Sequence, residues 1–91
     1  MAWQIEFDEA AKKELRKLDP QVAKRVLGFM RERLLVLKDP RLIGQALKGS
    51  ELGDFWKYRV GDIRIIASIE DKRLTVLVLR VGKRKEVYRR Q

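Results

Sequence analysis

Trp3, Ile5 and Phe7 alternate with Gln4 and Glu6 at the start of the chain, the period of a strand with one buried face. At Asp8 the period changes. Ala11, Leu15 and Leu18 recur at helical spacing with Lys12, Lys13, Arg16 and Lys17 outside, so a helix begins at Glu9 with Asp8 as its N-cap. Asp19-Pro20 ends that helix and opens another, because proline's missing N–H would go unpaired in a first turn anyway. Val22, Val26, Met30, Leu34 and Leu37 carry the buried stripe of the second helix, which Asp39-Pro40 stops. Residues 41 to 54, punctuated by Gly44, Gly49 and Gly53, read as a short turn followed by a loop. Period two then returns in three runs, 55 to 60, 63 to 69 and 73 to 81, separated by Gly61-Asp62 and Glu70-Asp71-Lys72. The order is βααβββ: an α+β fold with two N-terminal helices packed on one face of a small, mainly antiparallel sheet. Ninety-one residues hold material for one core, hence a single domain over 1–91.

Gly61-Asp62 suits a two-residue hairpin, since glycine accepts the positive φ of the first turn position. That turn sets Val60 opposite Ile63, Arg59 opposite Arg64, Tyr58 opposite Ile65 and Lys57 opposite Ile66. Trp56, Tyr58, Val60, Ile63, Ile65, Ala67 and Ile69 then share the face that the helices cover, while Lys57, Arg59 and Arg64 share the other. Two guanidinium groups directly across a strand pair repel by roughly a few tenths of a kcal/mol, which outward splaying or a bound anion relieves. Two readings stand here: solvated surface cations, or a phosphate cradle.

Charge narrows the partner. With 22 Lys plus Arg against 13 Asp plus Glu, a net charge of +9, the chain is placed among polyanion binders, nucleic acid first. A membrane-surface protein would need aromatic and Leu residues opposite a continuous Lys/Arg face, and no segment shows that. The first residues have neither the basic start nor the apolar stretch of a secretory signal, and no run approaches a membrane span, so a cytoplasmic protein without a membrane partner is expected. A hydrophobic share of 45% argues against disorder. Cysteine and histidine are both absent, which removes disulfides, thiolate nucleophiles, the usual zinc ligands and the commonest general acid–base. Chemistry without a metal or other cofactor is expected. Asp8, Asp19 and Asp39 stand at helix edges and read as punctuation, not as a metal cluster; Trp3, Phe29 and Trp56 sit in apolar patterns and read as core.

The tail shifts the balance on the sheet cations. The last strand returns antiparallel to its neighbour, so Val81 and Gly82 arrive beside Arg64, and Lys83-Arg84-Lys85 lands near Arg59 and Arg64. From Arg80 to Arg90 there are six cations and one acid, with Tyr88 among them. A strand break in RNA needs a base for the 2′-hydroxyl proton, stabilisation of a pentavalent phosphorane and neutralisation of the departing 5′-oxygen. Tyr88 is a candidate base, because surrounding cations favour the phenolate. Lys57 and Arg84 are the other candidates for proton work, although electrostatic stabilisation suits a permanently charged Arg better. Arg59 and Arg64 can clamp a phosphate by fork-like hydrogen bonds. Lys83, Lys85 and Arg89, with Lys12, Lys13 and Lys17 on the first helix, are candidate RNA contacts.

Several segments, Phe7-Asp8-Glu9-Ala10, Lys13-Glu14-Leu15-Arg16-Lys17-Leu18 and Leu47-Lys48-Gly49, are similar to those of the RelE branch of the RelE/ParE toxin superfamily. The most specific are Phe55-Trp56-Lys57-Tyr58-Arg59-Val60-Gly61-Asp62-Ile63-Arg64 and Arg80-Val81-Gly82-Lys83-Arg84-Lys85-Glu86-Val87-Tyr88-Arg89. The resemblance covers nearly the whole chain. It implies a fold related to small microbial ribonucleases and a metal-independent endoribonuclease that cuts mRNA in the ribosomal A site. Its implied partners are the ribosome with its 16S rRNA, mRNA, and a cognate RelB-like antitoxin through which alone operator DNA is met. By motif position it makes Lys57 and Arg59 the two sheet cations, Arg64 the phosphate-binding Arg, Arg84 the leaving-group Arg and Tyr88 the base. Arg59 stands where some members have Lys, Lys83 where many have His, and the step from Arg84 to Tyr88 is shorter than in some. A ParE-like gyrase inhibitor, which generally lacks this Lys, Arg and Tyr constellation, and a non-enzymatic RNA- or ribosome-binding translation blocker are the alternatives.

Overall fold

A computed structural model describes residues 3–47 and 55–83. Strand β1 (Gln4–Phe7) leads through Asp8 into α1 (Glu9–Lys17), and α2 (Pro20–Phe29) follows. Both helices start as their caps dictate: the Asp8 carboxylate accepts from the Ala10 N–H at 3.2 Å, and Asp19 accepts from Gln21 at 3.0 Å with Pro20 in the first turn. Asp39 does the same for a short 3₁₀ turn, Pro40–Ile43, accepting from the Arg41 N–H at 3.0 Å. All three aspartates are thus committed to helix starts.

The sheet continues with β2 (Gln45–Ala46), β3 (Phe55–Val60), β4 (Ile63–Glu70) and β5 (Thr75–Lys83), in the spatial order β1-β5-β4-β3-β2. β1 runs parallel to β5, and every other pair is antiparallel. The hairpin register is the one its turn demands, with Arg59 opposite Arg64 and Lys57 opposite Ile66, and Gly61 takes φ 58°. β2 is an addition to the expected order, inside the stretch read as turn and loop. Two residues are too few to show a period, and their pairing, Gln45 with Lys57 and Ala46 with Trp56, is non-local.

Two irregularities adjust the core. Val22, Val26, Met30 and Leu34 are spaced four apart, which on a 3.6-residue helix rotates the stripe about 40° per step. The expected second helix accordingly changes at Met30 into a π turn, Met30–Leu34, closed by Leu35 N–H donating to the Met30 carbonyl at 2.9 Å; its wider turn keeps Met30 and Leu34 both buried. In β5, a bulge places Ile66 opposite Arg80 but Ala67 opposite Val78, so Val78 and Val81, three apart, both reach the core. Strict alternation would have sent Arg80 inward. Instead Glu14 of α1 takes the Arg80 guanidinium at 2.6 Å and also accepts the Val81 N–H at 2.8 Å, tying α1 to the bulge. The core joins Ala11, Val26, Met30 and Leu34 to Tyr58, Ile65, Val76 and Val78 on the sheet's inner face. No helix among the described residues is long and apolar enough to cross a membrane.

Candidate functional site

On β3 and β4, Lys57, Arg59 and Arg64 alternate with the core residues Tyr58, Val60, Ile63 and Ile65. The 3₁₀ turn and β2 wall this patch, so Ile43, Gly44 and Gln45 enclose, with Lys57, Tyr58, Arg59 and Arg64, a cavity of about 160 Å³. At about 30 Å³ per water, that space takes a phosphate group and part of a ribose. Arg59 is exposed and Lys57 is half-buried, but Arg64 is only 8% exposed. Among the described residues the Arg64 side chain has neither a hydrogen bond nor an ion pair. Its guanidinium nitrogens nevertheless reach solvent, since among the described residues no side-chain nitrogen is both buried and without a hydrogen-bond partner. Arg59 is exposed, whereas Arg64 opens to solvent only at its charged head, and the two heads side by side suit an anion that brings its own negative charge.

The wall is held from behind. The buried Tyr58 hydroxyl donates to the Pro40 carbonyl at 2.8 Å, and burial pushes its phenol up to about 12, which unfits it as a base at neutral pH. Arg41 makes a forked pair with Asp71, at 3.1 and 2.7 Å, and a 3.2 Å contact to Asp39, while lying 5.9 Å from the Trp56 ring centre. The hydrogen bond to Asp71 raises the Arg41 guanidinium further above its ordinary value, and that same contact holds the Asp71 carboxyl below its own. Gly44 lies against the aromatic pair: a Cβ there would meet Tyr58 ring carbons at 2.9 and 3.0 Å and Trp56 at 3.2 Å.

The other candidates fall elsewhere. Gly82 is paired with Arg64 and Lys83 with Ile63, so β5 ends beside the cavity; Arg84, Lys85, Tyr88 and Arg89 lie outside the described residues. Lys12, Lys13 and Lys17 are on α1, away from the cavity lining, and Lys12 contacts Glu9 at 3.5 Å. Lys17 and Lys83 instead help line a wider groove of about 990 Å³ between the helices and the β3–β4 turn.

Residues 5–88 match the family model described as the ParE toxin of the type II toxin-antitoxin system, parDE. Toxin RelG of Mycobacterium tuberculosis is 32% identical over 90 residues, covering 99% of this chain and 100% of that protein. The chain belongs to the RelE/ParE family of type II toxins. The mRNA interferase toxin RelE of Escherichia coli is 36% identical over 90 residues, covering 97% of this chain and 92% of that protein. Among solved structures, the RelBE2 toxin–antitoxin complex of M. tuberculosis aligns at a TM-score of 0.81 and 30% identity, over 92% of this chain and 93% of that one.

Within this RelE/ParE toxin, the sequence reading placed the three sheet cations but missed the wall facing them. Ile43, Gly44 and Gln45 belong to the cavity only because β2 pairs across to β3. The available signal was slight: an Asp-Pro cap followed closely by an isolated glycine.

Proposed function

We propose that this toxin is a ribosome-dependent endoribonuclease, a single domain over residues 1–91 that cuts mRNA in the A site and is neutralised by a RelB-like antitoxin. The observation that carries the reading is the grouping of Arg64, without a carboxylate partner among the described residues, with Lys57 and Arg59 on one sheet face lining a phosphate-sized cavity. The E. coli relative named an mRNA interferase and the M. tuberculosis toxin–antitoxin complex support it. Arg59 and Arg64 hold the non-bridging oxygens, and Lys57 adds a compact charge as the phosphorane forms. The Tyr88 phenolate takes the 2′-hydroxyl proton, the 2′-oxygen bonds to phosphorus, and the P–O5′ bond breaks as Arg84 stabilises the leaving oxygen, which takes a proton from water to become the 5′-hydroxyl. Every charge in this scheme comes from side chains, so no metal is assigned. The toxin acts in the cytoplasm, where ribosomes are, touches 16S rRNA through cations such as Lys83, Lys85 and Arg89, and meets operator DNA only through the antitoxin.

Mapping the ends produced on programmed ribosomes tests this. A-site breaks ending in a 2′,3′-cyclic phosphate and a 5′-hydroxyl are expected. Intact mRNA on stalled ribosomes would mean a translation blocker, and gyrase-linked DNA breaks with intact mRNA would mean a ParE-type activity.

A further inference from the structure

The turn that walls the cavity carries chemistry that a wall does not require. Leu42 and Ile43 are 69% and 40% exposed, and Ile43 lines the cavity together with Gln45. The Gln45 side chain makes no hydrogen bond among the described residues. Exposed aliphatic residues are common, but these adjoin a cationic cavity on a segment fixed from several directions. Tyr58 holds the Pro40 carbonyl, Asp71 and Asp39 hold Arg41, the Gly44 N–H donates to the Arg41 carbonyl at 3.1 Å, and β2 is paired to β3. Fixing a surface in advance lowers the ordering cost of what binds there.

An aliphatic ledge and an available carboxamide beside a phosphate cradle are the parts needed to grip one unstacked nucleobase. The ledge covers a base face, the amide pairs with the base edge, and the phosphate fixes the register. A carboxamide offers an acceptor beside a donor, and every RNA base presents the complement along its Watson–Crick edge. The order of donor and acceptor differs between bases, so an amide carried on a fixed backbone beside a held phosphate meets each base edge differently.

Resting on the ribonuclease reading above, we infer that Ile43 and Gln45 form a nucleobase subsite that reads the nucleotide next to the scissile phosphate and sets sequence preference. Neither residue takes part in the chemical step. Gln45→Ala therefore narrows the spread between the best and worst cut bases at one codon position about tenfold, while total cleavage falls less than about threefold. Gln45→Glu turns the preference toward guanine, whose adjacent N1–H and N2–H donors suit a carboxylate.

The experiment is cleavage on ribosomes programmed with A-site codons varied at each position, comparing wild type, Gln45→Ala, Gln45→Glu and Ile43→Ala. Flattened preference with retained total cleavage is the expected result. A proportionate loss at all codons, or an unchanged preference, overturns the subsite. If the wild-type protein cuts no RNA, the ribonuclease reading fails by itself, and the subsite is judged by binding to the four 2′-O-methyl homotetranucleotides. There, affinity ratios that differ among bases and collapse in Gln45→Ala sustain it; ratios near one in wild type, or unchanged in the variant, overturn it.

Discussion

Replacing Tyr58 with Phe removes one oxygen from the centre of the molecule and leaves the ring in place. The wild-type hydroxyl, on a residue 1% exposed, donates to the Pro40 carbonyl at 2.8 Å, and Pro40 is itself buried. The variant loses that bond and strands a carbonyl away from water, together costing about 1–3 kcal/mol. For a chain of this size, about 2 kcal/mol corresponds to roughly 10 °C in Tm. A second signature is specific to the phenol. Burial, reinforced by Asp39 and opposed by Arg41, pushes it up to about 12, against about 10 in the unfolded chain. A pKa raised by folding stabilises fully below pH 10, and that contribution is lost as pH rises from 10 to 12, about 3 kcal/mol in all at 1.36 kcal/mol per unit. Urea unfolding followed from pH 7.5 to 11.5 reads both effects, because lysine titration is common to the two proteins. Wild type is expected to be the more stable at neutral pH and to lose its lead above pH 10. Parallel pH curves, or equal stability at pH 7.5, would refute the role given to this hydroxyl.

Three further outcomes are expected. Gly44→Ala drives a methyl against the buried Tyr58 ring at 2.9 Å and destabilises by about 1–3 kcal/mol, read by thermal melting; an unchanged Tm would show that the turn moves freely. Glu14→Ala leaves Arg80 and the Val81 N–H at the bulge without their shared acceptor and costs about 2–4 kcal/mol, with a coupling above about 1 kcal/mol in a double-mutant cycle with Arg80→Ala. Additive losses would mean that the pair does not act as one. Inorganic phosphate stabilises the wild-type protein by about 1.4 kcal/mol at ten times its Kd, and Arg64→Ala abolishes the gain; calorimetry showing the same gain in both would place the anion elsewhere.

Local signals were sufficient for much of this fold. Asp8, Asp19 and Asp39 each cap a turn as their positions beside helix-forming residues require, and Gly61-Asp62 alone sets the whole β3–β4 register. From that register the grouping of Lys57, Arg59 and Arg64 follows, since side chains alternate along paired strands. Features that depend on distant partners were not legible. β2 exists because Gln45 meets Lys57; the β5 bulge exists because Val81 packs in the core while Arg80 meets Glu14, 66 residues earlier in the chain. Burial of Arg64 is likewise a property of the assembled sheet, as identical periodicity would serve an exposed arginine. The expected strand at 73 to 81 begins instead at Thr75, because Asp71–Arg73 forms a 3₁₀ turn and Leu74 takes φ 47°. A non-glycine residue in that conformation leaves no pattern in the sequence.

Everything functional depends on whether the guanidinium of Arg64 stabilises the reacting phosphate. Single-turnover cleavage on programmed ribosomes, measured beside ribosome affinity for wild type and Arg64→Ala, asks this directly. A rate loss of about 100-fold or more with affinity held within about threefold is expected of a group that acts on the transition state. Undiminished cleavage by the variant, or equal losses of rate and affinity, would contradict it.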